Sequence, residues 1–324
     1  MQNLSKKTQS PFRKILLATN LCEGYEEVLQ VTLQLCQRNN ANLRILYVSR
    51  PHLQPRALPI EPSGTFASPL RLDQEAAELL RAIRERALAL GLSCTTRQEP
   101  GVPAEKILEA IEAEETDLLV LGTGEPLGSL RDAFGPTAEK VMLNATCPIM
   151  TVGQVAAESS GDRPSDGPIL FATDFHSCTR QAIHQALGYA RSIQQPLHSV
   201  HVLPRTLQTI HGDHTLAELL TNALKHLVAT TSASTQDTTC KVIYGSEISN
   251  AIVDYARQVR AGIIFLGVRS DSILSSQDRL PIAFRIIVES PCPVVTIVCD
   301  AEAEPAHVTD ADACTFQVPP AFLQ

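Results

Sequence analysis

The chain has 324 residues, a 44% hydrophobic share, 4% aromatics with no tryptophan, and a formal net charge of −8. That is enough chain for two domains with full cores, and neither the charge nor the aromatic content suits a polyanion or stacked nucleic-acid bases. Nine cysteines stand without any C-x-x-C pair, which fits a reducing cytoplasm better than a disulfide framework or a zinc site.

Residues 1–12 are polar and read as a loose tail without the apolar segment of a signal peptide. Lys14–Asn20, K-I-L-L-A-T-N, reads as a strand; its apolar run does not alternate, as expected where helices cover both faces of a parallel sheet. Glu26–Arg38 follows as a helix with Val28, Val31, Leu35 and Cys36 on one face, and Asn39-Asn40 as its stop. Leu43–Val48 is the next strand. Pro51–Pro69, rich in proline, is a long loop, and Leu70–Leu90 is an amphipathic helix ended by Gly91. A strand near Cys94–Gln98 and a helix over Ala104–Ala113 come next. In Leu118–Val152 an apolar run leads into a loop with Gly122, Gly124, Gly128 and Gly135, then a short helix and a second apolar run at Ile149–Val152. A glycine-bearing loop between a strand and a helix N-terminus is the arrangement that holds phosphate, because free N–H groups and the helix dipole converge there. The alternation of strands and helices predicts a parallel sheet with helices on both faces.

Residues 153–167 have linker composition, and then the pattern restarts. Ile15–Asn20, I-L-L-A-T-N, returns as Ile169–Asp174, I-L-F-A-T-D; Asp117–Gly122 returns as Gly262–Gly267; Thr146–Val152, T-C-P-I-M-T-V, returns as Pro291–Ile297, P-C-P-V-V-T-I. The chain is a tandem duplication, with domains at 13–152 and 168–298. Residues 299–324 form an acidic tail without Lys or Arg, expected to be disordered.

These repeated strands, with D-L-L-V-L-G followed by G-x-x-A-E-K-V, resemble the universal stress protein family in two copies. The resemblance implies two tandem Rossmann-like domains of the adenine nucleotide alpha hydrolase-like type, each a five-stranded parallel sheet with helices on both faces. It also implies pairing of the two domains through their last strands. ATP-binding members of that family use an aspartate after the first strand, backbone groups after the second, and a phosphate loop G-x2-G-x9-G-[ST]; other members lack the loop and bind no nucleotide.

Carried onto this chain, the positions are Asn20, Val48, Gly122, Gly124, Gly135 and Thr137 in the first copy, and Asp174, Val202 and Gly267 in the second. Gly122 and Gly135 match the loop. Glu125 stands where a glycine is expected and Pro136 where a hydroxyl is, and Pro136 has no N–H to give a phosphate. Asn20 replaces the aspartate, and its amide keeps hydrogen-bonding capacity. The second copy keeps Asp174 and Gly267 but has Ser270, Leu280 and Pro281 at the other loop positions.

His211, Asp213 and His214 lack a completing ligand, so no metal is expected. His198 and His201, three apart on a strand, are expected on opposite faces. Cys22 and Cys178 occupy equivalent post-strand loops and are the candidate reactive thiols; Cys147 and Cys292 read as small buried residues. No nucleophile elbow or triad order is present, and no apolar run approaches a membrane span. The expected function is therefore a non-catalytic stress-response scaffold or partner-binding module with degenerate nucleotide pockets. The alternative is an ATP-binding or slowly ATP-hydrolysing sensor using the glycine loop of the first copy. An unidentified protein partner and a homodimer are further expectations; nucleic acid and membrane are not.

Overall fold

The computed structural model describes residues 10–22, 24–49, 69–123, 135–159, 166–176, 178–207, 214–231, 237–270 and 281–299. Residues 1–9, the 51–68 part of the proline-rich loop and the 300–324 part of the tail lie outside the described residues. The first half runs β1 (Lys14–Thr19), α1 (Tyr25–Asn39), β2 (Asn42–Ser49), α2 (Pro69–Ala89), β3 (Cys94–Pro100), α3 (Pro103–Ala113), β4 (Leu118–Gly122), α4 (Gly135–Asn144) and β5 (Ile149–Val152). After a short helix α5 (Gln154–Ser159), the second half repeats this order. Its elements are β6 (Ile169–Ala172), α6 (Thr179–Ser192), β7 (Leu197–Pro204), α7 (His214–Thr231), β8 (Thr238–Gly245), α8 (Ile248–Val259), β9 (Ile263–Arg269), α9 (Ile282–Glu289) and β10 (Val294–Cys299).

Local chemistry sets the helix ends. Asn40 stops α1 in the left-handed region at φ 49°, and Ala41 N–H then donates to the Cys36 carbonyl at 3.0 Å. Gln194 repeats this after α6 at φ 57°, with Gln195 N–H on the Ala190 carbonyl at 2.9 Å. Gly91 closes α2 at φ 77°, the conformation for which glycine carries no steric cost.

All ten strands join one sheet in the order β3-β2-β1-β4-β5-β10-β9-β6-β7-β8. Every pairing is parallel except that of β5 with β10, which run antiparallel with Val294 opposite Thr151 and Thr296 opposite Ile149. Thr296 Oγ1 also donates to the Ile149 carbonyl at 3.3 Å. The two copies thus meet through their last strands. β5 is buried along its whole length, which explains the unbroken apolar reading of that strand.

One apolar layer lies under α1, α2, α6 and α7, and the opposite layer under α3, α4, α8 and α9. Both layers run through the two halves. Sequence and structure differ at the two connecting segments. Phe12, assigned to the tail, is buried in the first layer at 1% exposure, with its ring 5.4 Å from that of Tyr189 and 6.4 Å from that of Phe265. Part of the expected linker is α5, whose Ala156 is buried. Phe12 gains its order from the second half, and α5 from packing on α1 and α9 together, gains that local composition does not display.

Candidate functional site

In an open α/β sheet, ligands bind at the carboxyl ends of the strands where the chain order reverses. Here that point lies beside β1, flanked by β2 and β4, and beside β6, flanked by β7 and β9. Asn20 follows β1 directly, Val48 is in β2 next to Tyr47, which pairs with Thr19, and Gly122 ends β4. Asp174, Val202 and Gly267 hold the corresponding places around β6, β7 and β9. The fold therefore gathers these predicted residues at the two strand-end crevices. Gly124 and Glu125 lie outside the described residues, as do Gly128 and Leu280.

The turn after the first strand is the same in both halves. Leu21 takes φ 54° with its N–H on Thr19 Oγ1 at 3.0 Å, and Cys22 N–H donates to Asn20 Oδ1 at 3.1 Å. Phe175 takes φ 66° with its N–H on Thr173 Oγ1 at 2.9 Å, and His176 N–H donates to Asp174 Oδ1 at 3.1 Å. Asn20 thus reproduces the backbone role of Asp174. The remaining atom differs: Asn20 offers an amide N–H2 donor, Asp174 a carboxylate acceptor.

The retained glycines have a packing reason. A Cβ on Gly122 would sit 2.9 Å from Val28 Cγ2 in α1, and one on Gly267 would sit 3.1 Å from Cys178 Cβ at the start of α6. Close helix-to-strand approach calls for glycine at 122, and at 267 a side chain would make Cys178 give by a few tenths of an ångström. Gly135 is different: it opens α4 at φ 65° with open space where its Cβ would stand. Pro136 is exposed in the first turn, where a missing N–H costs nothing, and Thr137 follows it half-buried. In the second half Pro281 caps α9, and the first helical residue is Ile282, 47% exposed.

Sequence reasoning missed the side chains that line the strand-end turns. His201, in β7, donates Nδ1–H to the Thr173 carbonyl at 2.8 Å and packs its ring 5.0 Å from that of Phe175. Burial pushes its pKa below the ordinary histidine value, against the opposing pull of the Thr173 carbonyl and the Asp174 carboxylate. Arg269 donates from Nη1 to His176 Nδ1 at 3.4 Å. Tyr47 holds the matching place in β2, its phenol pushed up by burial and then by Asp73 and Cys22. The signal was present in the repeated T-N-L and T-D-F after each first strand, which mark a turn rather than a strand end.

His198 and His201 do face opposite ways: His198 Nδ1 bonds the Tyr255 hydroxyl at 3.0 Å on the α8 side. Cys178 is buried with its thiol 3.6 Å from the Val268 carbonyl, whereas Cys22 is exposed. Burial pushes the Cys147 and Cys292 thiols up to about 12. Among the described residues no group of three or more His, Cys, Asp or Glu is placed to hold a metal ion, and no helix is long and apolar enough to cross a membrane. The His211 to His214 cluster falls outside the residues whose side chains are described.

The family described as "Universal stress protein family" matches residues 11–153 and again 167–297. A universal stress protein of Methanocaldococcus jannaschii is 29% identical over 154 residues, covering 47% of this chain and 88% of the relative. One from Thermus aquaticus is 32% identical over 146 residues, covering 44% of this chain and 98% of the relative. Among solved structures, a universal stress protein from Archaeoglobus fulgidus superposes with a TM-score of 0.65 at 20% identity, covering 90% of this chain and 97% of that one. A functionally unknown protein from Pseudomonas aeruginosa does so with a TM-score of 0.53 at 17% identity, covering 89% and 92%. At these identities the structural likeness speaks for the fold.

Proposed function

Since the chain belongs to the universal stress protein family, we propose that it serves the stress response as a non-catalytic scaffold or partner-binding module with degenerate nucleotide pockets. The observation that supports this reading is the glycine packing: Gly122 and Gly267 each lie close against a neighbouring helix, which accounts for glycine at both positions without a phosphate. Pro136, without an N–H, at the first turn of α4 and Ile282 at the first turn of α9 support it, because neither side chain offers a phosphate a donor. We assign domain boundaries at 13–152 and 168–298, a cytoplasmic location, and an unidentified protein as partner.

A second reading, an ATP-binding sensor, draws support from the first half alone. Gly135 keeps the left-handed conformation at the start of α4, and the Asn20 turn matches that of Asp174. In that reading Asn20, Val48, Gly122, Gly124, Gly135 and Thr137 would hold ATP, and Asp174, Val202 and Gly267 would be the weaker set. Isothermal titration of the full chain with ATP and Mg2+ separates the two. The scaffold reading expects no heat at millimolar ATP. Micromolar binding abolished by Gly135→Arg would overturn it in favour of the sensor.

A further inference from the structure

The backbone pairing of β5 with β10 is blind to sequence, since main-chain groups alone make the ladder. It does not say why a first half should meet a second half rather than another first half. The apolar layer beside it does.

The two halves align residue by residue through shared landmarks. Ile15 and Ile169 start equivalent pairings with Leu43 and Leu197, and with Leu118 and Ile263. Asn40 and Gln194 are equivalent left-handed helix stops. On that alignment Phe12 corresponds to Asp166, Leu35 to Tyr189, Val120 to Phe265, Arg38 to Ser192 and Asn39 to Ile193.

The contacts across the seam use the unlike member of each of these pairs. Phe12 of the first half packs on Tyr189 and Phe265 of the second, both fully buried. Asp166 of the second half accepts from Arg38 Nη2 of the first at 2.5 Å. The Tyr189 phenol is pushed up to about 12 by burial, against the Arg38 and Asn39 side chains that lie near it. Its hydroxyl has no hydrogen bond of normal geometry, and the same holds for Asn39 Oδ1.

Like halves lose each of these contacts. Two second halves would bring Asp166, in place of Phe12, against Tyr189 and Phe265. Ser192 would stand where Arg38 now takes the carboxylate. In that pair the two rings would lose the aromatic partner that Phe12 supplies, and Asp166, whose side chain is 76% exposed in its present bridge, would stand beside them without a cation. Two first halves would set Phe12 against Leu35 and Val120, leaving a void where two rings now pack and Arg38 without its aspartate. We propose that this seam is a recognition surface fitting one partner, the opposite half of this chain, and rejecting another copy of the same half. Positive complementarity selects the unlike pair, and the misplaced Asp166 penalises the alternative.

The test uses the complete chain with a protease site placed in 160–165, folded and then cut, with the products sorted by native mass spectrometry. The expected species holds one first and one second fragment, and none holds two like fragments after prolonged incubation. Two variants extend the test. Phe12→Asp should weaken the nicked pair at least about 100-fold relative to Phe12→Leu, which keeps an apolar side chain there. Asp166→Phe should allow second fragments to pair with each other. Like pairs from the unmodified sequence would overturn the proposal, as would equal affinities for Phe12→Asp and Phe12→Leu. Because the Asp166 side chain is exposed in its bridge, Asp166→Phe leaves each half able to fold, and unchanged sorting by that variant would also refute selection at the seam.

Discussion

Replacing Gly122 by alanine tests whether packing against α1 accounts for glycine at that position. Its φ lies outside the left-handed region, so alanine brings no backbone strain and, without a neighbour, would be near neutral or stabilising by about 0.5 kcal/mol. The new Cβ would instead lie 2.9 Å from Val28 Cγ2, well inside the usual carbon contact of about 3.5–4.0 Å. Val28 is buried in α1 and β-branched, with one strongly preferred rotamer in a helix, so it cannot swing aside. The overpacking should cost about 1–3 kcal/mol. Val28→Ala alone removes two methyl groups from the core and should cost about 2 kcal/mol. Combined, the alanine at 122 fills part of the space vacated at 28, and the pair should fall short of the sum by about 1–2 kcal/mol. Urea unfolding of all four proteins followed by circular dichroism gives the free energies, provided the m-values agree. Additivity within about 0.5 kcal/mol, or a neutral Gly122→Ala, would refute the packing explanation.

Two further outcomes follow from geometry already described. Gly153, just after β5, would place a Cβ 2.5 Å from the Ile287 carbonyl oxygen of α9; Gly153→Ala should destabilise the chain by about 1–3 kcal/mol, and an unchanged urea midpoint would count against the tight seam. His201 and His198 both have pKa values lowered by burial, so the unfolded chain takes up protons first as the pH falls. Their contribution to stability is complete above about pH 6.5 and is lost as the pH falls through the lowered folded values. Urea midpoints measured between about pH 7.5 and 5 should drop for the natural sequence and drop less for His201→Gln, and parallel slopes would sink the assignment.

Strand and helix order were legible in the sequence because each element carries its own period. The apolar runs of β1 and β4 and the one-sided face of α1 need no distant partner to be read. The β5–β10 pairing came from the resemblance to the universal stress protein family, carried onto two copies in one chain. Phe12 was not legible. A single aromatic between Pro11 and Arg13 reads as tail, and its burial comes from Tyr189 and Phe265, far along the chain. At the strand-end crevices the residue types were visible, but the commitment of Gly122 to Val28 and of Gly267 to Cys178 was not. A glycine kept for close approach and a glycine kept for a ligand have the same letter.

The position of β10 as the last strand of the described chain matters during synthesis. β5 is fully buried, and its outer edge is covered by β10. A ribosome adding about 5–20 residues each second leaves that edge bare for on the order of ten seconds while the second half is made. An uncovered apolar strand edge is a template for joining other chains. Until the second half is complete, the first half therefore presents an unpaired strand edge that the finished chain covers with β10.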